Sequence, residues 1–174
     1  MNLTAHFTAE ELNYTAAPAG ARRNLAALAL LLEQVRAVLG VPLRVTSGYR
    51  APSTNAQLPG ASATSQHLDG TAADVVPVGL SIPDAMRRLS TSDARNATGQ
   101  IIAYPYDGHL HVSLPTRGVV GAMLVQSSPN ASAPVYRPYS GTLLASLEAK
   151  QTADSAHVAT LAVATAAGLG ILNS

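Results

Sequence analysis

The chain has 174 residues, 47% of them apolar and 4% aromatic with no tryptophan, and a net charge of +1. That length supports one domain with a core of its own, and the near-neutral balance gives no electrostatic reason to expect nucleic acid as a partner. The absence of cysteine excludes a disulfide scaffold and a thiolate metal site, so a metal here would have to be held by histidines and carboxylates.

Met1 to Glu11 carries neither a basic stretch nor an apolar one, so a secretory signal is not expected. The most apolar run, Val158 to Leu172, is short and dominated by Ala, Gly and Thr, and is not expected to cross a membrane. Phe7 to Leu12 reads as a short helix, with Thr8 as N-cap and Glu11 as its capping-box partner. Thr15 to Gly20 reads as loop. From Ala21 to Leu39 the residues Leu25, Leu28, Leu32, Val35 and Leu39 recur at spacings of three and four, which predicts a long amphipathic helix. Gly40 and Pro42 end it.

Leu43 to Thr46 reads as a strand, closed by Ser47-Gly48-Tyr49-Arg50, and Ala51 to Ser62 reads as a loop. Ala73 to Val76 is the start of a buried strand. Ser81 caps a helix that runs to about Leu89, with Pro83 and Asp84 in its first turn. Gly99 to Tyr104 and His109 to Leu114 form a hairpin around a turn at Pro105 to Gly108. Gly118 to Val125 is expected to hold another strand, and Ser127 to Gly141 to be loop or linker. Thr142 to Lys150 and Ala156 to Ala167 read as helices, with no recognisable chemistry of their own.

The chemistry concentrates in Ser65-Gln66-His67-Leu68-Asp69-Gly70-Thr71-Ala72-Ala73-Asp74 and in His109-Leu110-His111. Two imidazoles and a carboxylate make a three-ligand set for a catalytic zinc, with a fourth position for water. In a continuous helix His67 and Asp74 would lie ~10.5 Å apart along the axis, too far for two ligands each ~2.0–2.2 Å from one ion. The chain must therefore turn back between them, and Gly70 supplies the permissive backbone. In a strand, His109 and His111 point to one face; one can bind metal while the other stands beside the bound water.

These residues resemble a known family, the zinc peptidases of the D-alanyl-D-alanine carboxypeptidase type. These LAS-type metallopeptidases include the vancomycin-resistance dipeptidases and many phage peptidoglycan endopeptidases. The shared pattern is Ser47-Gly48-Tyr49-Arg50 with Asn55, then Ser65, His67, Gly70, Ala72 and Asp74, then His109-Leu110-His111. The opening His6-Phe7-Thr8-Ala9-Glu10-Glu11-Leu12 is similar to the start of the phage-type branch. The resemblance spans roughly residues 3 to 115.

It implies Zn2+ held by His67, Asp74 and His111, with Arg50 gripping a substrate carboxylate or carbonyl, as its guanidinium fork suits. Ser65 lies beside the site as a substrate contact or a support. Branches of the family ending in E-x-x-H use that Glu as general base, but here the position is Gly108. The base is then His109 or, from the turn, Asp107. Asn55 either contacts substrate or orders its loop. Tyr106, like Tyr104, lines a cleft or packs at the hairpin edge.

The sequence thus predicts an α+β fold: an antiparallel sheet carrying the zinc ligands, packed against helices, with a peripheral C-terminal helical region. Residues 1–117 form the LAS-type peptidase domain, and 118–174 an extension that packs on it, self-associates or docks on a partner. The expected activity is hydrolysis of a peptide bond in bacterial peptidoglycan by a metal-bound water, as an endopeptidase in preference to a D,D-carboxypeptidase. The stem peptide is the substrate. A protein made in the cytoplasm and acting on the wall fits a phage lysin helped by a membrane-permeabilising partner, or an enzyme carried in the virion with other virion proteins. The contrasting expectation is a structural or cell-wall-binding module that keeps the fold without efficient turnover.

Overall fold

The computed structural model describes residues 1–116, 118–128 and 132–153. The described residues fall into two compact units that divide between Tyr139 and Ser140. The first is built on a six-stranded sheet: β1 (Leu43–Ser47), β2 (Ala72–Pro77), β3 (Gln100–Tyr104), β4 (His109–Ser113), β5 (Ala122–Gln126) and β6 (Tyr136–Pro138). Their order across the sheet is β1-β2-β4-β3-β5-β6. All neighbours are antiparallel except β3 and β5, which run parallel. The expected α+β class stands, with a sheet that is mostly rather than wholly antiparallel.

Helix α1 (Ala19–Leu39) covers one face of this sheet, beside α3 (Ile82–Ser90) and α4 (Ala94–Ala97). Its stripe of Leu25, Leu28, Leu32, Val35 and Leu39 is completely buried; each such side chain contributes about 1.5–3 kcal/mol relative to exposure. Gly40, at φ +67°, ends the helix with its N–H on the Arg36 carbonyl, and Arg88 Nη1 donates to the Leu39 carbonyl at 2.6 Å, neutralising orphan acceptors of the last turn. The helix-covered face of the sheet presents Val75 of β2, Ile101 and Ala103 of β3, Leu110 and Val112 of β4 and Val125 of β5, all fully buried.

Because side chains alternate along a strand, the residues next to these core positions along each strand point the other way. Asp74 pairs with His111, which pairs on its other side with Ile102. Farther along β4, His109 pairs with Tyr104. The second face of the sheet therefore presents the ionisable residues while the first makes the core.

Several local expectations change. Phe7 to Leu12 is a series of turns, not a helix, although Thr8 and Glu11 do bond reciprocally: Glu11 N–H donates to Thr8 Oγ1 at 3.2 Å, and Thr8 N–H to Glu11 Oε2 at 2.9 Å. Asn13, at φ +55°, diverts the chain there, and the Leu12 carbonyl accepts from Tyr49 N–H instead of from a following turn. The loop expected over Ala51 to Ser62 contains a short helix, α2 (Pro52–Ala56), started by Pro52 in its first turn. The loop expected over Ser127 to Gly141 contains β6. Since β5 and β6 complete the sheet, the first compact unit runs past residue 117 to Tyr139.

In the second unit, residues 141–153 are helical, with Ser140 Oγ accepting from Leu143 N–H at 3.1 Å as a cap. The helix expected at Ala156 to Ala167 lies outside the described residues. Among the described residues no helix is long and apolar enough to cross a membrane.

Candidate metal centre

The His67 end of the site is a tight turn. Gly70 sits at φ +66°, and Thr71 N–H and Oγ1 both donate to the Gln66 carbonyl, at 3.0 and 3.1 Å. Asn24 of α1 fastens the turn with a bond to the Asp69 carbonyl at 2.8 Å. The chain thus reverses between His67 and Asp74, as the ligand distances require, and enters β2 at once.

On the other side of β2, an irregularity in β1 reshapes the site. Val45 faces Val75, but Ser47, not Thr46, faces Asp74. This bulge brings Ser47 onto the site face and sends Gly48 into a cramped position. A Cβ at Gly48 would run into the Leu12 backbone, its carbonyl oxygen first, so only glycine fits. The Gly48 carbonyl in turn points at His67 Nδ1, 2.8 Å away.

His67, Asp74 and His111 each offer an atom within 4.8 Å of the others. His67 Nε2 is 3.2 Å from His111 Nδ1 and 3.3 Å from Asp74 Oδ1, and His111 Nδ1 is 3.1 Å from the same oxygen. Both imidazoles are buried and Asp74 is nearly so. The far nitrogens are committed. His67 Nδ1 can only donate to the Gly48 carbonyl, and His111 Nε2, 3.0 Å from Gln66 Oε1, donates to that amide oxygen; the Gln66 Nε2 donates on to Thr116 Oγ1 at 3.0 Å.

The charge states follow from the surroundings. Burial opposes the Asp74 charge, but contact with His111 and His67 more than offsets it and holds the carboxyl far below the usual carboxylate range. Burial is the largest influence on His111 and pushes its pKa down; the hydrogen bond to Asp74 pulls the other way and loses. The shift favours the neutral imidazole, and the Gln66 oxygen beside Nε2 favours a proton on that nitrogen. With the ring protons on the far nitrogens, His67 Nε2 and His111 Nδ1 turn electron pairs toward each other and toward Asp74 Oδ1. Such a set is repulsive by itself and becomes favourable around a cation. Its composition, two imidazoles and one carboxylate, suits zinc with an open position.

Arg50 lies at the edge of this cluster. Its Nη2 is 3.5 Å from Asp74 Oδ2 and donates to Ser47 Oγ at 3.2 Å, while Nη1 reaches Asn55 Oδ1 at 3.4 Å. Asn55 is buried and donates to the Ser62 carbonyl at 2.9 Å, so it orders its loop and steadies Arg50. Arg50 also lines a pocket of about 500 Å3 with Thr46, Ser47, Tyr49, Thr54 and Leu58. A guanidinium carries five donors, so the remaining ones are available to a ligand there.

His109 occupies the opposite flank, half-buried, its ring stacked on Tyr104 with centroids 4.5 Å apart and planes 11° from parallel. Burial is the main reason its pKa is lowered. Tyr104 is tied in turn to Tyr136 of β6, hydroxyl to hydroxyl at 3.1 Å. Asp107 is exposed and Tyr106 half-buried in the hairpin turn, and Ser65 is half-buried just before the His67 turn. None of these three makes a hydrogen bond to the three-residue cluster among the described residues. Reading the sequence alone misses Gln66, the Gly48 carbonyl, Ser47 and the Tyr104–Tyr136 pair. Only Gln66, a polar residue next to a ligand on a turn, carries a sequence signal that points toward support.

A family model described as Peptidase M15 matches residues 5–113, more than half of the chain. No curated protein matches it.

Proposed function

The chain belongs to the M15 family of peptidases, and we propose from that premise that it is a zinc peptidase that cuts a peptide bond in bacterial peptidoglycan. The observation that carries the reading is the convergence of three electron-pair donors, His67 Nε2, Asp74 Oδ1 and His111 Nδ1, within 4.8 Å of one another. Zinc, when bound, lowers the pKa of water toward ~7 and polarises the scissile carbonyl. His109 takes a proton from the attacking water and returns it to the leaving amine; its place on the same face as His111 supports that role over Asp107 at the hairpin tip. Arg50 receives a substrate carboxylate or carbonyl from the side of its pocket, held in position by Ser47 and Asn55. Ser65 and Tyr106 line the approach.

Within this reading an endopeptidase acting on a stem peptide or cross-link is favoured, by the likeness of the chain's opening to the phage-type branch. Release of a terminal D-alanine uses the same residues. The protein then works on the cell wall as a phage lysin or a virion-borne hydrolase, reaching it through a membrane-permeabilising partner or other virion proteins.

The test is zinc content together with digestion of purified peptidoglycan, for wild type, His67→Ala and His109→Ala. About one zinc per chain with release of new amino termini is expected for wild type, and loss of both for His67→Ala. His109→Ala is expected to keep zinc and lose turnover by about 10²–10⁴-fold. Zinc without digestion of several wall types would replace the peptidase with a wall-binding module. Absence of zinc would remove the reading altogether.

A further inference from the structure

Gln66 plays no part in the scheme above, yet among the described residues its side chain reaches an imidazole of the cluster. Its Oε1 lies 3.0 Å from His111 Nε2 and its Nε2 3.0 Å from Thr116 Oγ1. Its backbone carbonyl is gripped twice by Thr71, so the side chain starts from a fixed point. The next residue is His67 itself. One turn therefore delivers one cluster imidazole and orients the other across the sheet.

The orientation has a chemical consequence. A neutral imidazole carries one proton, on either nitrogen. If His111 held it on Nδ1, that proton would point at Asp74 and His67 and block the electron pair that a metal needs. An acceptor on Nε2 stabilises the other tautomer, and an amide oxygen is an acceptor that cannot itself take the proton. In the structure the Gln66 amide NH2 donates to Thr116 Oγ1, and the amide oxygen is the end turned to His111. Thr116 lies beyond the matched residues 5–113.

We infer that Gln66, supported by Thr116, is a positioning residue that sets the His111 tautomer and thereby the strength of metal binding. The inference rests on the metal-site reading of the cluster. It differs from the Gly48 contact to His67, which is made by backbone and survives any side-chain change.

The experiment uses the full chain and zinc alone, with no substrate. Zinc affinity is measured by competition with a chromophoric chelator for wild type, Gln66→Leu, Gln66→Glu and Thr116→Val. In parallel, 15N spectra of the imidazoles report the His111 tautomer in the zinc-free wild type. Gln66→Leu should weaken zinc by about 10–100-fold, the usual cost of losing such a partner. Gln66→Glu, which keeps an acceptor, should stay within about three-fold of wild type or bind tighter, and Thr116→Val should fall between wild type and Gln66→Leu. A Gln66→Leu affinity within about two-fold of wild type would overturn the inference while leaving the metal site intact. So would equal losses in the Leu and Glu variants, the mark of a packing role. Should Gln66→Leu not fold, the wild-type tautomer decides: a proton on His111 Nδ1 overturns the inference, and one on Nε2 supports it. A wild type that binds no zinc overturns both this inference and the reading beneath it.

Discussion

Replacing Gly70 with alanine would put a methyl group 2.7 Å from the Ala21 carbonyl oxygen and 3.0 Å from Leu25 Cγ. Both neighbours belong to the buried face of α1, and the nearer one is backbone, so neither can swing aside. The φ of +66° adds its own cost, about 1–2 kcal/mol for an alanine in the left-handed region. Forcing a methyl into packed backbone costs about 1–3 kcal/mol more, and the stiffer unfolded chain returns about 0.4–1 kcal/mol. The net is about 1–5 kcal/mol, centred near 3, a large share of a stability that is typically about 5–15 kcal/mol.

Gly79 is the control. It has a similar φ of +78° but open space around its Cβ position, so Gly79→Ala should cost only about 1 kcal/mol. Thermal unfolding should show Gly70→Ala lowered by about 5–15 °C and Gly79→Ala by about 2–4 °C. Since the Gly70 turn also carries His67, Gly70→Ala should weaken zinc binding as well, and Gly79→Ala should not. Equal melting shifts for the two variants would refute the argument that the turn is seated against α1.

Tyr104→Leu removes the ring that His109 stacks on, so turnover should fall by about 10–100-fold with zinc content and KM unchanged. A loss of zinc instead would show that Tyr104 supports the ligands, not His109. Saturating zinc, at about 1,000 times its Kd, should add about 4 kcal/mol to the stability of wild type and raise its melting temperature. His67→Ala should show no such rise, and a chelator should reverse the effect in wild type. Near the N-terminus, His6 binds the Glu33 carboxylate through its N–H and its ring Nδ1, each at 2.8 Å. Burial opposes the Glu33 charge, but the hydrogen bonds from His6 prevail and its pKa is lowered. A depressed carboxyl stabilises the fold above its unfolded pKa and loses that contribution as pH falls through the folded value. His6→Ala should therefore cost more stability at about pH 6 than at about pH 3, read from urea midpoints; equal costs would show that the pair is inert.

The sequence reveals what depends on local period and local chemistry. The α1 stripe repeats over about four turns, and the hairpin around Pro105 to Gly108 joins strands that neighbour each other in the chain. The clustering of His67, Asp74 and His111 was legible because His67 and Asp74 flank a glycine turn and His111 sits on the adjacent strand. Hidden features depend on partners far along the chain. Thr8 and Glu11 make the bonds of a capping box, yet no helix follows, because Tyr49, remote in sequence, takes the Leu12 carbonyl. The bulge at Ser47 leaves no trace in composition, and it decides which face of β1 meets Asp74. The far nitrogens of the imidazoles are satisfied by a carbonyl from that bulge and an amide from the turn, neither of which any spacing announces.

The matched family segment ends at residue 113, with β4, and a chain ending there would be physically incomplete. β3 would become an edge strand, its Ile101, Ile102 and Ala103 open to pairing with other chains. β5 prevents this by lying parallel to β3 and burying Met123 and Val125 in the same core, at about 1.5–3 kcal/mol for each. The new edge, β6, is three residues long, a short form in which an edge is least able to recruit a partner. Those added strands also reach the site: Tyr136 fixes the Tyr104 hydroxyl beside His109, and Thr116, in the link between β4 and β5, holds Gln66 against His111. Residues beyond 113 therefore do two things at once, closing the sheet and bracing both histidines of β4, and a truncation at that point should cost the metal centre along with the fold.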